Sequence, residues 1–170
     1  MGNKSLADRL WRCDPRNRVA DTFGWSIGIS LLAMMLAGVI TNYTRPKVQI
    51  TLGDTKFTLE VANTPATQSR GLMKRTASQL KEGGMIFPVQ PSRNVAVWMK
   101  DMLVPLDIIF LREGKIVQIM HQVPHCEANF PCRPIASHGQ VDTAIELLGG
   151  TAQSVGLKEG MKLNLPILKK

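Results

Sequence analysis

Two cysteines in a proline-bounded loop are the first residues of this chain whose type and spacing suggest chemistry. Cys126 and Cys132 are separated by five residues within segment 124–134. A redox-active pair usually has two intervening residues at a helix start, where the helix dipole lowers the pKa of the attacking thiol. We therefore predict a structural disulfide, worth about 2 kcal/mol in the chain-entropy model for so short a loop. A thiol-redox pair, a metal site and free thiols are the alternatives.

Three histidines surround these cysteines, and a zinc site of two cysteines and two histidines can be drawn from them. They are His121, His125 and His138. Structural zinc sites usually take their ligands from two separated arms of the chain, whereas these pairs overlap in one segment. We therefore predict no metal site and no cofactor. A cysteine nucleophile activated by histidine is disfavoured as well, because oxidation to a disulfide would remove the thiolate.

Two carboxylates that stand alone between apolar neighbours are the main candidates for acid–base chemistry. Asp107 lies in the sequence PLDIIF and Glu146 in AIEL. A carboxylate that faces the interior is either paired with a cation or has a raised pKa suited to proton transfer. Arg70, Arg75 and Lys100 are the candidate cations. The ordinary alternative is a strand residue that faces solvent or forms a buried ion pair.

One aromatic residue joins these charged groups in a candidate functional cluster. Trp98 could line a groove, although an apolar stripe in a small β domain more often belongs to the core. The predicted cluster consists of Arg70, Trp98, Lys100, Asp107 and Glu146. Convergence of its carboxylates and a basic side chain in an open pocket would favour an enzyme.

Alternating polar and apolar residues predict the strands that position these side chains. Residues 48–52 and 57–61 alternate on either side of a Gly-Asp turn, which predicts a hairpin. Thr64 followed by Pro65 is typical of a helix start, and we predict a short helix to about residue 73. Further strands are predicted at 84–87, 94–98, 107–111, 115–120 and 161–165, while 141–148 fits a strand or a helix. The fold class is therefore mostly β, a small barrel-like or sandwich domain with one or two short helices.

A long uncharged stretch precedes this β domain. The 23 residues 22–44 carry no charged side chain and would reach about 34 Å as a helix, enough to span a bilayer core. Five basic residues precede the stretch and two follow it closely, which predicts a cytoplasmic N-terminus. We predict a basic cytoplasmic tail at 1–22, an uncleaved single-pass transmembrane helix at 23–44 and an extracytoplasmic domain at 45–170, on the periplasmic, lumenal or outer face. A cleaved signal peptide is the alternative.

Composition and motifs narrow the function further. The formal net charge is +8, from 21 Lys and Arg against 13 Asp and Glu, which favours negatively charged surfaces over large cationic ligands. The basic residues are scattered and few aromatic residues accompany them, so no nucleic acid is expected as a partner. The usual nucleotide-binding, serine-hydrolase and zinc-protease motifs are absent from the sequence. The membrane lipid bilayer is the expected partner, and no oligomeric state is predicted.

Five short sequence motifs follow one another between residues 57 and 165. They are GLMKR at 71–75, GMIF at 84–87, WMK at 98–100, PLDIIF at 105–110 and IEL at 145–147. Together they resemble the family known as domain of unknown function 192. The resemblance implies a small secreted or extracytoplasmic, barrel-like β domain with no assigned reaction. Two features differ from the family pattern: Asp101 and Met102 replace Asn-Thr, and the cysteine loop lacks the tyrosine, although both cysteines are retained.

These observations favour a membrane-anchored binding or scaffolding module of the cell envelope, with an envelope protein or polymer as its partner. The sequence contains no recognisable pair of nucleophile and base, which favours a non-catalytic role. The alternative is a small envelope enzyme that uses Asp107, Glu146 and Arg70, or a thiol-redox or metal site at the cysteine loop.

Overall fold

The computed structural model describes residues 45–126 and 132–166, which contain eight strands and three short helices. The strands are β1 (Lys47–Leu52), β2 (Thr55–Val61), β3 (Gly83–Arg93), β4 (Ala96–Val97), β5 (Leu106–Arg112), β6 (Lys115–Val123), β7 (Ile135–Ala136) and β8 (Val141–Leu148). The helices are α1 (Pro65–Arg70), α2 (Ala77–Leu80) and α3 (Thr151–Ser154). The prediction of a mostly β domain with short helices is confirmed.

Six strands form one mixed sheet in the order β1-β2-β3-β8-β5-β6, and β4 pairs separately with β7. β1 and β2 form the predicted hairpin, with Ile50 opposite Phe57. β5 and β6 form a second hairpin, joined by the turn at Glu113 and Gly114. β2 and β3 are parallel, and the other neighbouring strands are antiparallel. The parallel pair requires a crossover connection, which is the segment that contains α1 and α2.

The six-stranded sheet is open, so the barrel-like expectation is wrong for the described residues. β1 and β6 form its two edges and do not pair with each other. The segment predicted as a closing strand at 161–165 makes one isolated bridge instead, between Lys162 and Lys115. Closing a barrel requires a consistent stagger of every strand, and alternation within single strands carries no information on that stagger.

Local sequence determines both ends of α1. Thr64 is the N-cap, its hydroxyl accepts a hydrogen bond from the Thr67 amide, and Pro65 occupies the first turn, as predicted. The helix ends at Arg70, earlier than predicted. Gly71 follows with φ 49° and ψ −136°, a conformation that is strained for any residue with a Cβ atom. The chain therefore turns sharply directly after Arg70.

Both faces of the sheet are covered, so the central strands are buried on both sides. One face, which we call the α3 face, includes Ile145 and Leu147 and packs against Ala152 of α3. The other, the α2 face, includes Met85 and packs against Leu80 of α2. Strands buried on both faces are apolar almost throughout rather than alternating. This explains why segment 141–148, now β8, fitted neither period.

The predicted tail at 1–22 and the predicted transmembrane helix at 23–44 lie outside the described residues. Within residues 45–126 and 132–166, no helix is both long enough and apolar enough to cross a membrane. The anchor therefore remains a prediction from the sequence.

Candidate functional site

A cavity of about 420 Å³ opens on the α2 face of the sheet. It lies between the turn that follows α1, the end of β3 and segment 94–98, and β8 contributes its floor. Apolar side chains such as Phe87 and Met102 form much of its wall. Three members of the predicted cluster line this cavity, namely Arg70, Trp98 and Glu146.

Glu146 is the buried acid of this cavity. It lies on β8 between Met85 of β3 and Ile108 of β5, and 6% of its surface is exposed. Among the described residues, no hydrogen-bond donor or cation contacts its carboxyl group. Burial raises the pKa of the Glu146 carboxyl from 4.5 to about 8. At neutral pH the floor of the cavity therefore presents a protonated, uncharged carboxyl.

The backbone approaches this carboxyl closely at Gly71. A Cβ atom added at Gly71 would lie 3.8 Å from Oε2 of Glu146 and 3.8 Å from the ring of Phe87. The added Cβ atom would be in ordinary van der Waals contact with both groups, so there is space for it. Glycine is required here by the backbone conformation. The turn after α1 thus lies beside the Glu146 carboxyl in the wall of the cavity.

Glu60 lies in the same cross-strand row as Glu146, but its carboxylate forms two ion pairs. Glu60 lies opposite Met85, on the side away from Glu146. Its two carboxylate oxygens accept hydrogen bonds from Arg45 at 2.9 Å and from Arg75 at 2.8 Å. Arg75, a candidate cation for Asp107 or Glu146, thus pairs with Glu60 instead. The two acids have different surroundings and different chemistry.

Positive charge lies around the entrance of the cavity. Arg70 ends α1, Arg93 ends β3, and both are exposed residues that line the cavity. Trp98 also lines the cavity with 44% of its surface exposed. Nζ of Lys100 lies 5.5 Å from the centroid of the Trp98 ring, which places a third cation next to the entrance. Lys100 itself does not line the cavity.

Asp107 lies on the opposite side of the sheet from Glu146. Asp107 is paired across the strands with Leu147, whereas Glu146 is paired with Ile108. The two Asp107 oxygens accept hydrogen bonds from the amide of Gln122 at 2.8 Å and from the amide of Ala152 at 2.7 Å. The structure therefore does not bring Asp107 and Glu146 together, and Asp107 holds α3 and β6 in place.

The cysteine loop lies next to the wall of the cavity. The sulfurs of Cys126 and Cys132 lie at disulfide distance, and their Cα atoms are 5.3 Å apart. The amide of Cys126 donates a hydrogen bond to the carbonyl of Met99, and β7, which follows the loop, pairs with β4. The pair thus supports segment 94–99, while residues 127–131 lie outside the described part of the chain. In that described part, no group of three or more His, Cys, Asp or Glu side chains is arranged to hold a metal ion.

Two features of this region were not predicted from the sequence. Arg93 occurs in the polar stretch PSRN. This stretch has no periodic pattern, so the sequence does not indicate that Arg93 lies at the entrance of a cavity. Glu60 alternates with apolar residues in FTLEV, which predicts a solvent-facing side chain. It is partly buried because the α2 face is also covered, and this depends on the packing of distant segments.

A family model matches residues 48–165, more than half of the chain. The chain therefore belongs to the family named domain of unknown function 192, described as "Uncharacterized ACR". This match confirms the family resemblance inferred from the five sequence motifs.

Two solved structures are similar to this chain over most of its length. One is a protein of Sinorhizobium meliloti 1021, provisionally named a transcription regulator, with 31% identity, a TM-score of 0.59, and coverage of 72% of this chain and 94% of that chain. The other is a protein of unknown function from Novosphingobium aromaticivorans DSM 12444, with 30% identity, a TM-score of 0.60, and coverage of 71% and 85%. No curated protein matches the chain. The comparisons establish the family and the fold and assign no activity.

Proposed function

We propose that this domain is a non-catalytic binding module, held on the extracytoplasmic side of a membrane by residues 23–44, and that the cavity beside Glu146 takes its ligand. The observation that carries the proposal is the cavity whose floor holds the buried carboxyl of Glu146, with which no residue in the described part of the chain pairs. A volume of about 420 Å³ lies within the range of small-molecule sites, which are mostly apolar with a few polar groups. Burial of a carboxyl group costs free energy of folding, so the position of Glu146 in an accessible cavity favours a role in binding.

Binding is favoured over catalysis by the separation of the candidate groups. Glu146 is the one carboxylate among the described lining residues, which include neither histidine nor cysteine. Asp107, the second acid of the enzyme alternative, accepts two backbone hydrogen bonds on the α3 face. General acid–base catalysis by this pair would require both carboxyls within reach of one substrate. An envelope enzyme that uses Asp107 and Glu146 together is therefore disfavoured.

The proposed membrane anchor rests on the sequence of residues 22–44, and the cysteine pair supports the proposed compartment. Residues 22–44 are uncharged over 23 positions, and basic residues are concentrated before them. Cys126 and Cys132 lie at disulfide distance, and disulfides persist mainly in oxidising compartments. Both features favour an extracytoplasmic domain.

A substitution at the cavity entrance tests the binding function. Ala96 is an exposed β4 residue that lines the cavity, so Ala96→Phe should obstruct the entrance without disturbing the core. Ala66→Phe makes the same change on exposed α1, outside the cavity. The probe is 3-phenylpropanol, titrated calorimetrically into the full chain in nanodiscs, with empty nanodiscs as the reference. We expect binding to wild type and to A66F and loss of binding to A96F. Equal binding to all three proteins would contradict the proposed site.

Reporter fusions test the topology separately. Alkaline phosphatase fused after Lys170 should be active, because it requires the oxidising extracytoplasmic side, and a cytoplasmic fluorescent reporter at the same position should be dark. A fluorescent fusion combined with an inactive phosphatase would overturn the orientation and the compartment of the cysteine pair.

A further inference from the structure

We infer that the ligand of the cavity is a small amphipathic anion, with an apolar body against the cavity wall and a single negative group at the arginine-lined entrance. This inference rests on the proposed binding function and names the ligand class for the same site. Three observations carry it: the cations of the entrance, the uncharged floor and the apolar wall.

The entrance supplies the charge complementarity. Arg70 and Arg93 reach it from different elements, the end of α1 and the end of β3. Lys100 adds a third positive charge beside Trp98, at 5.5 Å from the ring centroid. Guanidinium groups are suited to bind a carboxylate through two parallel hydrogen bonds. A ligand cation would meet repulsion at the same place.

The floor is compatible with an anion only while Glu146 is protonated. Its neighbours across the strands, Met85 and Ile108, are uncharged, and Arg70 is the cation of the adjacent α1 segment. Beyond Met85, the charge of Glu60 is compensated by two arginines. Because the pKa of Glu146 is raised to about 8, the cavity carries no net negative charge at neutral pH. Ionisation of Glu146 at higher pH would place a negative charge near the ligand and weaken its binding.

The wall requires that the rest of the ligand be apolar. The apolar residues that line the cavity include Leu72, Phe87, Val89, Met102 and Trp98. Of these, Phe87 and Trp98 offer aromatic rings, and an aromatic or aliphatic body would remove their surface from water. A compact polyanion or a sugar would leave this wall uncovered, so the anion must be amphipathic.

Three probes of one shape test the charge of the ligand. They are 3-phenylpropanoate, 3-phenylpropanol and 3-phenylpropylamine, titrated into the full chain in nanodiscs near neutral pH, with empty nanodiscs as the reference. We expect the acid to bind about tenfold more tightly than the alcohol, and the amine to bind most weakly. Tighter binding of the amine, or equal binding of acid and alcohol, would overturn the inference. Failure of all three, including the uncharged alcohol, would instead contradict the proposed binding function.

Variants identify the groups responsible. Arg70→Gln and Arg93→Gln should each weaken binding of the acid by about tenfold or less and leave the alcohol unaffected. Arg112→Gln removes the same charge from the exposed end of β5, which does not line the cavity, and should leave both affinities unchanged. If R112Q and R70Q lowered the affinity for the acid equally, the effect would come from the net charge of the protein rather than from the entrance. That result would overturn the inference.

The pH dependence tests the floor. Between about pH 6.5 and about pH 9, the affinity of wild type for the acid should fall several-fold, because Glu146 ionises. Glu146→Gln cannot ionise, so its affinity for the acid should fall less over the same range. Parallel pH profiles for wild type and E146Q would refute the role assigned to the protonated carboxyl.

Discussion

Replacing Glu146 with Gln should remove most of the pH dependence of folding stability between about pH 5 and about pH 8. Burial raises the pKa of Glu146 from 4.5 to about 8 in the folded domain. Between these two values the folded domain holds Glu146 protonated, whereas the unfolded chain has it ionised. Unfolding then releases a proton, so the free energy of unfolding falls as the pH rises through this interval. Above the folded pKa both states are ionised, and the loss is complete.

The size of the effect follows from the width of that interval. From 4.5 to about 8 is about 3.5 pH units, and about 1.4 kcal/mol per unit gives a loss of at most about 5 kcal/mol. If the ionised carboxylate of Glu146 moves to contact water, its pKa is raised less, and the loss of stability is smaller, about 3 kcal/mol. The amide of E146Q does not ionise and has no such loss. The stability difference between E146Q and wild type should therefore grow by about 3 to 4 kcal/mol from about pH 5 to about pH 9, because part of the interval lies below pH 5.

Urea unfolding of the fragment 45–170 across this pH range measures the difference. The fragment contains residues 48–165, which the family model matches, and the Sinorhizobium meliloti protein has a similar fold with 94% of its own length matched to this chain. Glu82→Gln, which makes the same chemical change at an exposed position, is the matched control and should follow the wild-type profile. Parallel stability profiles for wild type and E146Q would refute the argument that burial raises the pKa of Glu146.

Three further predictions concern other residues. Asp107→Asn should cost about 2 to 4 kcal/mol in urea unfolding, because a carboxylate that accepts two backbone hydrogen bonds is replaced by an amide; unchanged stability would contradict its structural role. Alkylation of unreduced protein should label one of the three cysteines, and reduction should expose Cys126 and Cys132 and lower stability by about 2 kcal/mol. Labelling of all three without reductant would exclude the bridge. Gly71→Ala should destabilise the fold by about 1 to 3 kcal/mol, because its φ of 49° and ψ of −136° are strained for alanine; a stability equal to that of wild type would contradict this.

The sequence alone determined the local elements and the family. Alternation in segments 48–52 and 57–61 predicted the first hairpin, and Thr64 with Pro65 predicted the start of α1. These features depend on residues close together in the chain, so their physical causes are present in short windows of sequence. The combination of five short sequence motifs was likewise sufficient to indicate the family, which the family model confirms.

The site depended on the tertiary structure, because its members are brought together by strand pairing. Asp107 and Glu146 looked equivalent as lone acids in apolar strands, but the register of β5 against β8 places them on opposite faces of the sheet. A shift of one residue in that register would exchange the faces, and no local pattern specifies it when both faces are buried. The pairing of Glu60, the open edges of the sheet and the approach of Arg93 to the cavity were decided in the same way, by contacts between segments distant in the chain.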